Sequence, residues 1–221
     1  MDPEEIARRC VNLSLSEGRV PAVKIDPNLQ VRGVRELKMS LVGKIVTNKE
    51  VHRESFKAAI TSIWKPRKGI LIESLGNNIF IFIFRCLWDR KRIFEGGHWS
   101  FDKCLLVLKE ANGVGKLSDL NFDSTPFWVQ MFNLPLACMS REIGVVLGSS
   151  LGEVKEVDMD ANGNCWGRCL RVRILMDISK PLQRGLKALL GDDGEEISVL
   201  LCYERLPNFC YYCGRVGHLL R

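Results

Sequence analysis

The residues of this chain best equipped for chemistry stand together near its carboxyl end, in Cys210-Tyr211-Tyr212-Cys213-Gly214-Arg215-Val216-Gly217-His218-Leu219. Two thiolates separated by two residues, with an imidazole five positions further on, can wrap one tetrahedral Zn2+. Gly214 and Gly217 meet the need for positive φ and close approach where so short a chain turns around a metal. The spacing C-x2-C-x4-H-x4-C of a zinc knuckle puts its fourth ligand at position 223, past Arg221. Cys210, Cys213 and His218 are therefore the three expected ligands, and Zn2+ the expected cofactor.

Other spacings are weaker. Asp158-x-Asp160-x-Asn162-Gly163 matches the first half of an EF-hand loop, but position twelve falls on Cys169, which has no bidentate carboxylate to give, so an acidic hairpin turn is expected. Gly113-Val114-Gly115-Lys116 lacks the glycine that a phosphate-binding loop would place at Glu110. His52 and His98 have no Ser, Cys or Asp partner in a recognisable order and are expected to be structural. Cys165 and Cys169 read as core or edge thiols. The stretch Lys44 to Lys68 carries seven basic residues against two acidic ones, and Arg168 to Lys187 carries six against Asp177. In the second stretch Leu170, Val172, Ile174 and Met176 alternate with Arg171 and Arg173, so both arginines should leave one open sheet face, where they could track a phosphate backbone.

These residues need elements to hold them. Residues 1–36 read as a flexible leader, with a short helix over Pro3 to Cys10. Leu37 to Val46 reads as a strand, and Thr47 with Glu50 forms a capping box for a helix whose face is Phe56, Ala59, Ile60, Ile63 and Trp64, ended by Pro66. Ile70 to Leu75 and Ile79 to Phe84 form a hairpin through Gly76-Asn77-Asn78, the second run being core. Leu87 to Glu95 is a charged helix with Leu87, Ile93 and Phe94 to bury, and Trp99 to Leu108 is a strand. The resulting order is βαββαβ. After a linker over 111–124, Phe127 to Phe132 is a strand and Ser140 caps a helix with Ile143, Val146, Leu147 and Leu151 on one face. Val154 to Met159 and Arg168 to Met176 are strands around Asn162-Gly163, Pro181 to Leu190 is open between helix and extended chain, and Ile197 to Tyr203 is the last strand. The expected fold is α+β: two tandem ferredoxin-like or RRM-like βαββαβ units, over 37–110 and 125–207, followed by a truncated zinc knuckle over 208–221.

Composition bounds what such a chain does. Its 221 residues, 46% hydrophobic and 26% charged, suffice for a real core and exclude wholesale disorder. A net charge of +6 favours polyanionic partners. The longest apolar run, Ile79 to Phe84, is six residues, against about 18 to 20 for a membrane span. An acidic start with no apolar segment behind it, and nine cysteines, most of them scattered among apolar residues, fit an intracellular protein, nuclear or cytoplasmic.

The run Tyr203-Glu204-Arg205-Leu206-Pro207-Asn208-Phe209-Cys210, leading into the knuckle, resembles the plant proteins of LINE-type retrotransposon origin in which a domain of unknown function precedes a CCHC zinc knuckle. Leu41-Val42-Gly43-Lys44, Trp64, Gly76-Asn77-Asn78, Trp99-Ser100-Phe101-Asp102, and Trp128 before Asn133-Leu134-Pro135 stand in that family's order. The resemblance implies nucleic-acid binding in the manner of a gag-like or ORF1-like chaperone, without enzymatic activity. In knuckles of this kind the aromatic after the first cysteine and the apolar residue after the histidine form a shallow platform. Tyr211 and Leu219 are thus the candidates for base contact and Arg215 for phosphate contact, beside Arg171 and Arg173 on the sheet.

The expected function is a non-enzymatic binder of single-stranded RNA or DNA, with no membrane partner. The alternative is a protein assembly module whose sheets self-associate and whose knuckle is vestigial. An enzyme acting through metal ions would need clustered carboxylates, which the sequence lacks apart from the hairpin acids.

Overall fold

The computed structural model describes residue 5 and residues 23–111, 115–191 and 194–219. Apart from Glu5, the helix expected over Pro3 to Cys10 lies outside the described residues, as do Gly113 and Val114. Contacts group residues 34–221 into one compact unit and residues 1–33 into another.

Helix α1 (Pro27–Lys38) occupies much of what reads as leader and replaces the expected start of the first strand. Its start signals were local: Asp26 Oδ1 accepts the Asn28 N–H at 2.8 Å, and Pro27 fills a first-turn position where its missing N–H costs nothing. It buries no residue, which is why no core periodicity announced it. Strand β1 (Ser40–Val46) follows. Helix α2 (Arg53–Trp64) begins later than the capping box at Thr47 predicts: its N-cap is His52, whose Nδ1 accepts the Ser55 N–H. Tertiary contacts decide this, because the Asn78 side chain takes the Val51 N–H and donates to the Lys49 carbonyl, holding 49–51 against the β2–β3 turn. Phe56, Ile60 and Trp64 are buried as expected, whereas Ile63 is exposed.

The first sheet is completed by β2 (Ile70–Gly76), β3 (Ile79–Phe84), helix α3 (Leu87–Glu95), β4 (Trp99–Phe101) and β5 (Cys104–Glu110). Its order is β2-β3-β1-β5-β4, all neighbours antiparallel. The single strand expected over Trp99 to Leu108 is a hairpin, turned at Asp102 and Lys103 with φ of 47° and 58°. No glycine marks that turn, so the sequence hides it. Ile93 of α3 is buried, while Leu87 points to solvent. Phe80, Phe82 and Phe84 fill the core with Phe56 and Trp64, the Phe56 and Phe80 rings lying 4.3 Å apart.

The second sheet comprises β6 (Ser124–Phe132), β7 (Glu153–Val157), β8 (Leu170–Asp177), β9 (Gly185–Leu190) and β10 (Glu195–Tyr203), with helix α4 (Arg141–Ser149) between β6 and β7. Its order, β7-β8-β6-β10-β9, repeats the permutation of the first sheet strand for strand. The fold is thus α+β with two five-stranded antiparallel sheets and, among the described residues, four α-helices. Each sheet has one edge strand more than the expected pattern, and no helix stands between β8 and β9. The ambiguous Pro181 to Leu190 resolves as β9 over its second half, and the β7–β8 connection is a loop over 158–169 rather than a tight turn. Ser140 caps α4 by accepting the Ile143 N–H, and the buried face is Gly144, Leu147 and Gly148, with Val146 exposed.

The two sheets share one core. Val42, Leu105 and Val107, on the side of the first sheet away from its helices, cluster with Phe127, Val129, Met131, Val199 and Leu201 of the second. No helix among the described residues is long and apolar enough to cross a membrane.

Candidate nucleic-acid interface

Beyond β10 the chain forms a small hairpin built on backbone bonds. The Cys210 N–H donates to the Arg215 carbonyl at 2.9 Å and the Gly214 N–H to the Cys210 carbonyl at 2.8 Å, while Phe209 bridges Val216. This hairpin is fastened to both halves of the fold. The Asn208 N–H donates to the Lys103 carbonyl in the β4–β5 turn at 2.7 Å, and the Leu182 N–H donates to the Gly214 carbonyl at 2.7 Å. Phe209 and Val216 are buried in the shared core. Gly214 and Gly217 take φ of 73° and 99°, and a Cβ on Gly217 would lie 2.8 Å from Val46 Cγ1. Both glycines thus take the positive φ read from the sequence, but the close approach is to Pro181 at Gly214 and to Val46 of β1 at Gly217 rather than around a metal.

The hairpin brings the three expected ligands together. The donor atoms of Cys210, Cys213 and His218 all lie within 4.8 Å of one another, and Cys213 Sγ is 3.2 Å from His218 Nε2. Tetrahedral zinc with bonds of about 2.0 to 2.3 Å sets neighbouring donors about 3.5 Å apart, so the donor set fits. The backbone N–H groups of Cys213 and Tyr212 directed at the Cys210 sulfur hold its thiol below the ordinary range, which favours the thiolate a metal requires. Zinc bound there would act as a structural cross-link between Cys210, Cys213 and His218.

Around the donors the surface is exposed and cationic. Tyr211 and Leu219 are 72% and 57% exposed, and Arg215 is exposed as well. The Tyr211 ring meets the buried Phe209 edge-on, centroids 5.4 Å apart at 89°, and Arg184 Nη2 donates to the Tyr211 carbonyl at 3.1 Å. The ring is thus held in place with much of its surface free. Such a face can stack a nucleobase, worth about 1 to 3 kcal/mol.

The sheet candidates are placed differently. Arg171 and Arg173 do leave the second sheet on the side opposite its buried Leu170, Val172 and Ile174. Arg171 is, however, already partnered: Nε and Nη2 donate to the Glu204 carboxylate at 2.6 and 2.9 Å, Nη1 donates to Asp158 at 3.0 Å, and the guanidinium lies 3.8 Å from the centre of the Trp128 ring. Those carboxylates raise its pKa, and the Arg171 guanidinium in turn holds Glu204 below the usual carboxylate range. Arg173 lines a cleft of about 560 Å³ with Lys109 and Lys155, and also with Glu95 and Glu156. Burial pushes its guanidinium down, opposed by those two carboxylates.

Asp160, of the EF-hand-like run, accepts the N–H groups of Asn162 and Asn164, and Asp158 pairs with Arg171. His98, given no role from its neighbours in sequence, is buried where the sheets meet: Nε2 lies 3.0 Å from the Arg205 carbonyl and the ring packs at a tilt of 37° against Phe127, centroids 4.3 Å apart. Only the distant pairing of β4–β5 with the segment after β10 creates that site.

Comparison with known proteins assigns the two ends of this architecture. Two family matches cover them. Residues 33–111 match a domain of unknown function (DUF4283), and residues 176–221 match a zinc knuckle. The DUF4283 match holds the whole first sheet, and the zinc knuckle match holds Cys210, Cys213 and His218 together with β9 and β10. An uncharacterized protein of Arabidopsis thaliana is 30% identical over 95 residues, which is 43% of this chain and 30% of that protein, so the match spans less than a third of the relative's length. Two solved structures align at a TM-score of 0.28. The three N-terminal RNA binding domains of the yeast splicing factor Prp24 are 12% identical over 75% of this chain and 65% of theirs. The C. elegans NONO-1 homodimer is 11% identical over 62% of this chain and 50% of its own. At that TM-score the fold assignment rests on the strand orders given above.

Proposed function

We propose that this chain binds single-stranded RNA or DNA through its zinc knuckle, without catalysing a reaction, in the manner of the gag-like or ORF1-like proteins of LINE-type retrotransposons that its sequence resembles. The fourth zinc ligand of the family spacing would stand at position 223. The observation that carries the reading is the joint placement of the donor triad with Tyr211, Leu219 and Arg215, an exposed aromatic and apolar pair beside an exposed cation. An RRM-like sandwich stacks bases on the open face of its sheet. Here the face of the first sheet away from its helices is occupied by the shared core, and on the second sheet Trp128 is covered by Arg171. At the knuckle, by contrast, the Tyr211 ring and the Arg215 side chain are both exposed.

Anisotropy titrations of short single-stranded RNA with the zinc-loaded chain test this. Tyr211→Ala and Arg215→Ala should each weaken binding, the first by about 1 to 3 kcal/mol, or roughly five- to 150-fold. Unchanged affinity in both rules out the knuckle as the reader. A second reading, an assembly module, is favoured by exposed leucines on two edge strands, Leu71 and Leu75 on β2 and Leu189 on β9. Salt separates the two, since phosphate binding weakens as salt rises and apolar self-association does not.

A further inference from the structure

Beside the knuckle a groove of about 410 Å³ runs between the β4–β5 turn and the segment that follows β10. Ser100 and Lys103 line one side, Arg205 and Asn208 the other, and Tyr211 and Leu219 close it. The expected base platform is therefore one wall of a concave site rather than an isolated patch.

The charge of this groove is one-sided. Its lining contains no carboxylate, and among the described residues neither the Lys103 ammonium nor the Arg205 guanidinium has a hydrogen-bond or ion-pair partner. Arg171, held by Glu204 and Asp158, presents the opposite case. The backbone around both cations is fixed. Lys103 and Arg205 sit at φ of 58° and 49°, the Lys103 carbonyl accepts the Asn208 N–H, and the Arg205 carbonyl lies 3.0 Å from His98 Nε2. Two cations without a hydrogen-bond or ion-pair partner among the described residues, on hydrogen-bonded turns flanking an aromatic and apolar wall, match a strand that offers alternating phosphates and bases.

We infer that this groove is the track of the nucleic-acid strand: a base stacks on Tyr211 against Leu219, and the neighbouring phosphates are met by Lys103 and Arg205. This rests on the proposed nucleic-acid function and extends it to two residues outside the 208–219 hairpin, one of them contributed by the β4–β5 turn of the first sheet. The strand then contacts both sheet units at once, which an isolated knuckle peptide would not achieve.

The test measures binding of a fluorescein-labelled single-stranded RNA to the zinc-loaded full chain over roughly 50 to 200 mM salt, for wild type, Tyr211→Ala and the double variant Lys103→Gln/Arg205→Gln. Each lost phosphate contact makes the slope of log affinity against log salt shallower by about 0.7, so the double variant should lose about 1.4. An unaltered slope in the double variant, with Tyr211→Ala still weakening binding, overturns the groove and leaves the knuckle reading standing. Failure of the wild type to bind overturns both. Independently of any variant, photocrosslinking of thiouridine-substituted RNA to the wild-type chain should place adducts in the peptide spanning 205–211. Adducts confined to β6 and β8 contradict the groove.

Discussion

Gly217 carries two demands on one residue: a φ of 99° and a gap of 2.8 Å between the site of a Cβ and Val46 Cγ1. Gly217→Ala should therefore loosen the knuckle from the first sheet. The expected result is a loss of more than about 1 kcal/mol in denaturant unfolding, together with weaker zinc affinity by competition with a chelator. An equally stable variant would mean the knuckle is not packed on β1. The clustering of Cys210, Cys213 and His218 and the positive φ of Gly217 were legible in the sequence because the turn of a short loop is a local property, set by spacing, whereas the approach of Gly217 to Val46 was not. Nor was the state of Arg171. Alternation placed it on the correct face, but its charge is neutralised by Glu204, 33 positions away, and by Asp158 across the strand pair. Lys103 and Arg205 gave no signal for the same reason, since the groove exists only where the turn after β4 meets the segment after β10.

At the scale of elements, α4 meets its sheet through glycine. A Cβ on Gly148 would lie 2.7 Å from Val154 Cγ2, and one on Gly144 would lie 3.1 Å from Val157 Cγ1, so the helix approaches β7 and β8 more closely than a larger residue allows. Gly148→Leu should destabilise the chain by about 1 to 3 kcal/mol through overpacking, read as a lower denaturant midpoint, and little change would show that the helix can ride up without cost. Apolar periodicity revealed α2 and α3, β2 and β3, and β6, β7, β8 and β10 of the second sheet because each buries part of one face, whereas β9, with no buried residue, stayed ambiguous. It failed for α1, which buries nothing, and for the Asp102-Lys103 turn, where two non-glycine residues adopt left-handed backbone. It also missed the absence of a helix between β8 and β9. There the buried side chains of β6 and β10 share a core with Val42, Leu105 and Val107, a partner that no local pattern encodes.

At the scale of the molecule, that shared core makes His98 a sensor of how the sheets are joined. Burial lowers its pKa below the ordinary value of 6.5, so the folded state holds it neutral while the unfolded chain still takes up a proton. The unfolded state then binds more protons as pH falls below 6.5, and stability drops in that window, by at most about 1.4 kcal/mol per pH unit. Chemical denaturation between pH 7.5 and 5 should show this fall for the wild type and a flatter profile for His98→Gln. Equal profiles would mean the imidazole is not desolvated in the folded state. On the proposed function, the knuckle docked on both sheets is where a nucleic-acid strand is held. Anisotropy of a short single-stranded RNA titrated with the full chain, with and without a zinc chelator and at two salt concentrations, tests it most directly. Salt-sensitive binding that weakens on chelation is the predicted result, and affinity indifferent to the chelator, or no binding at all, contradicts it.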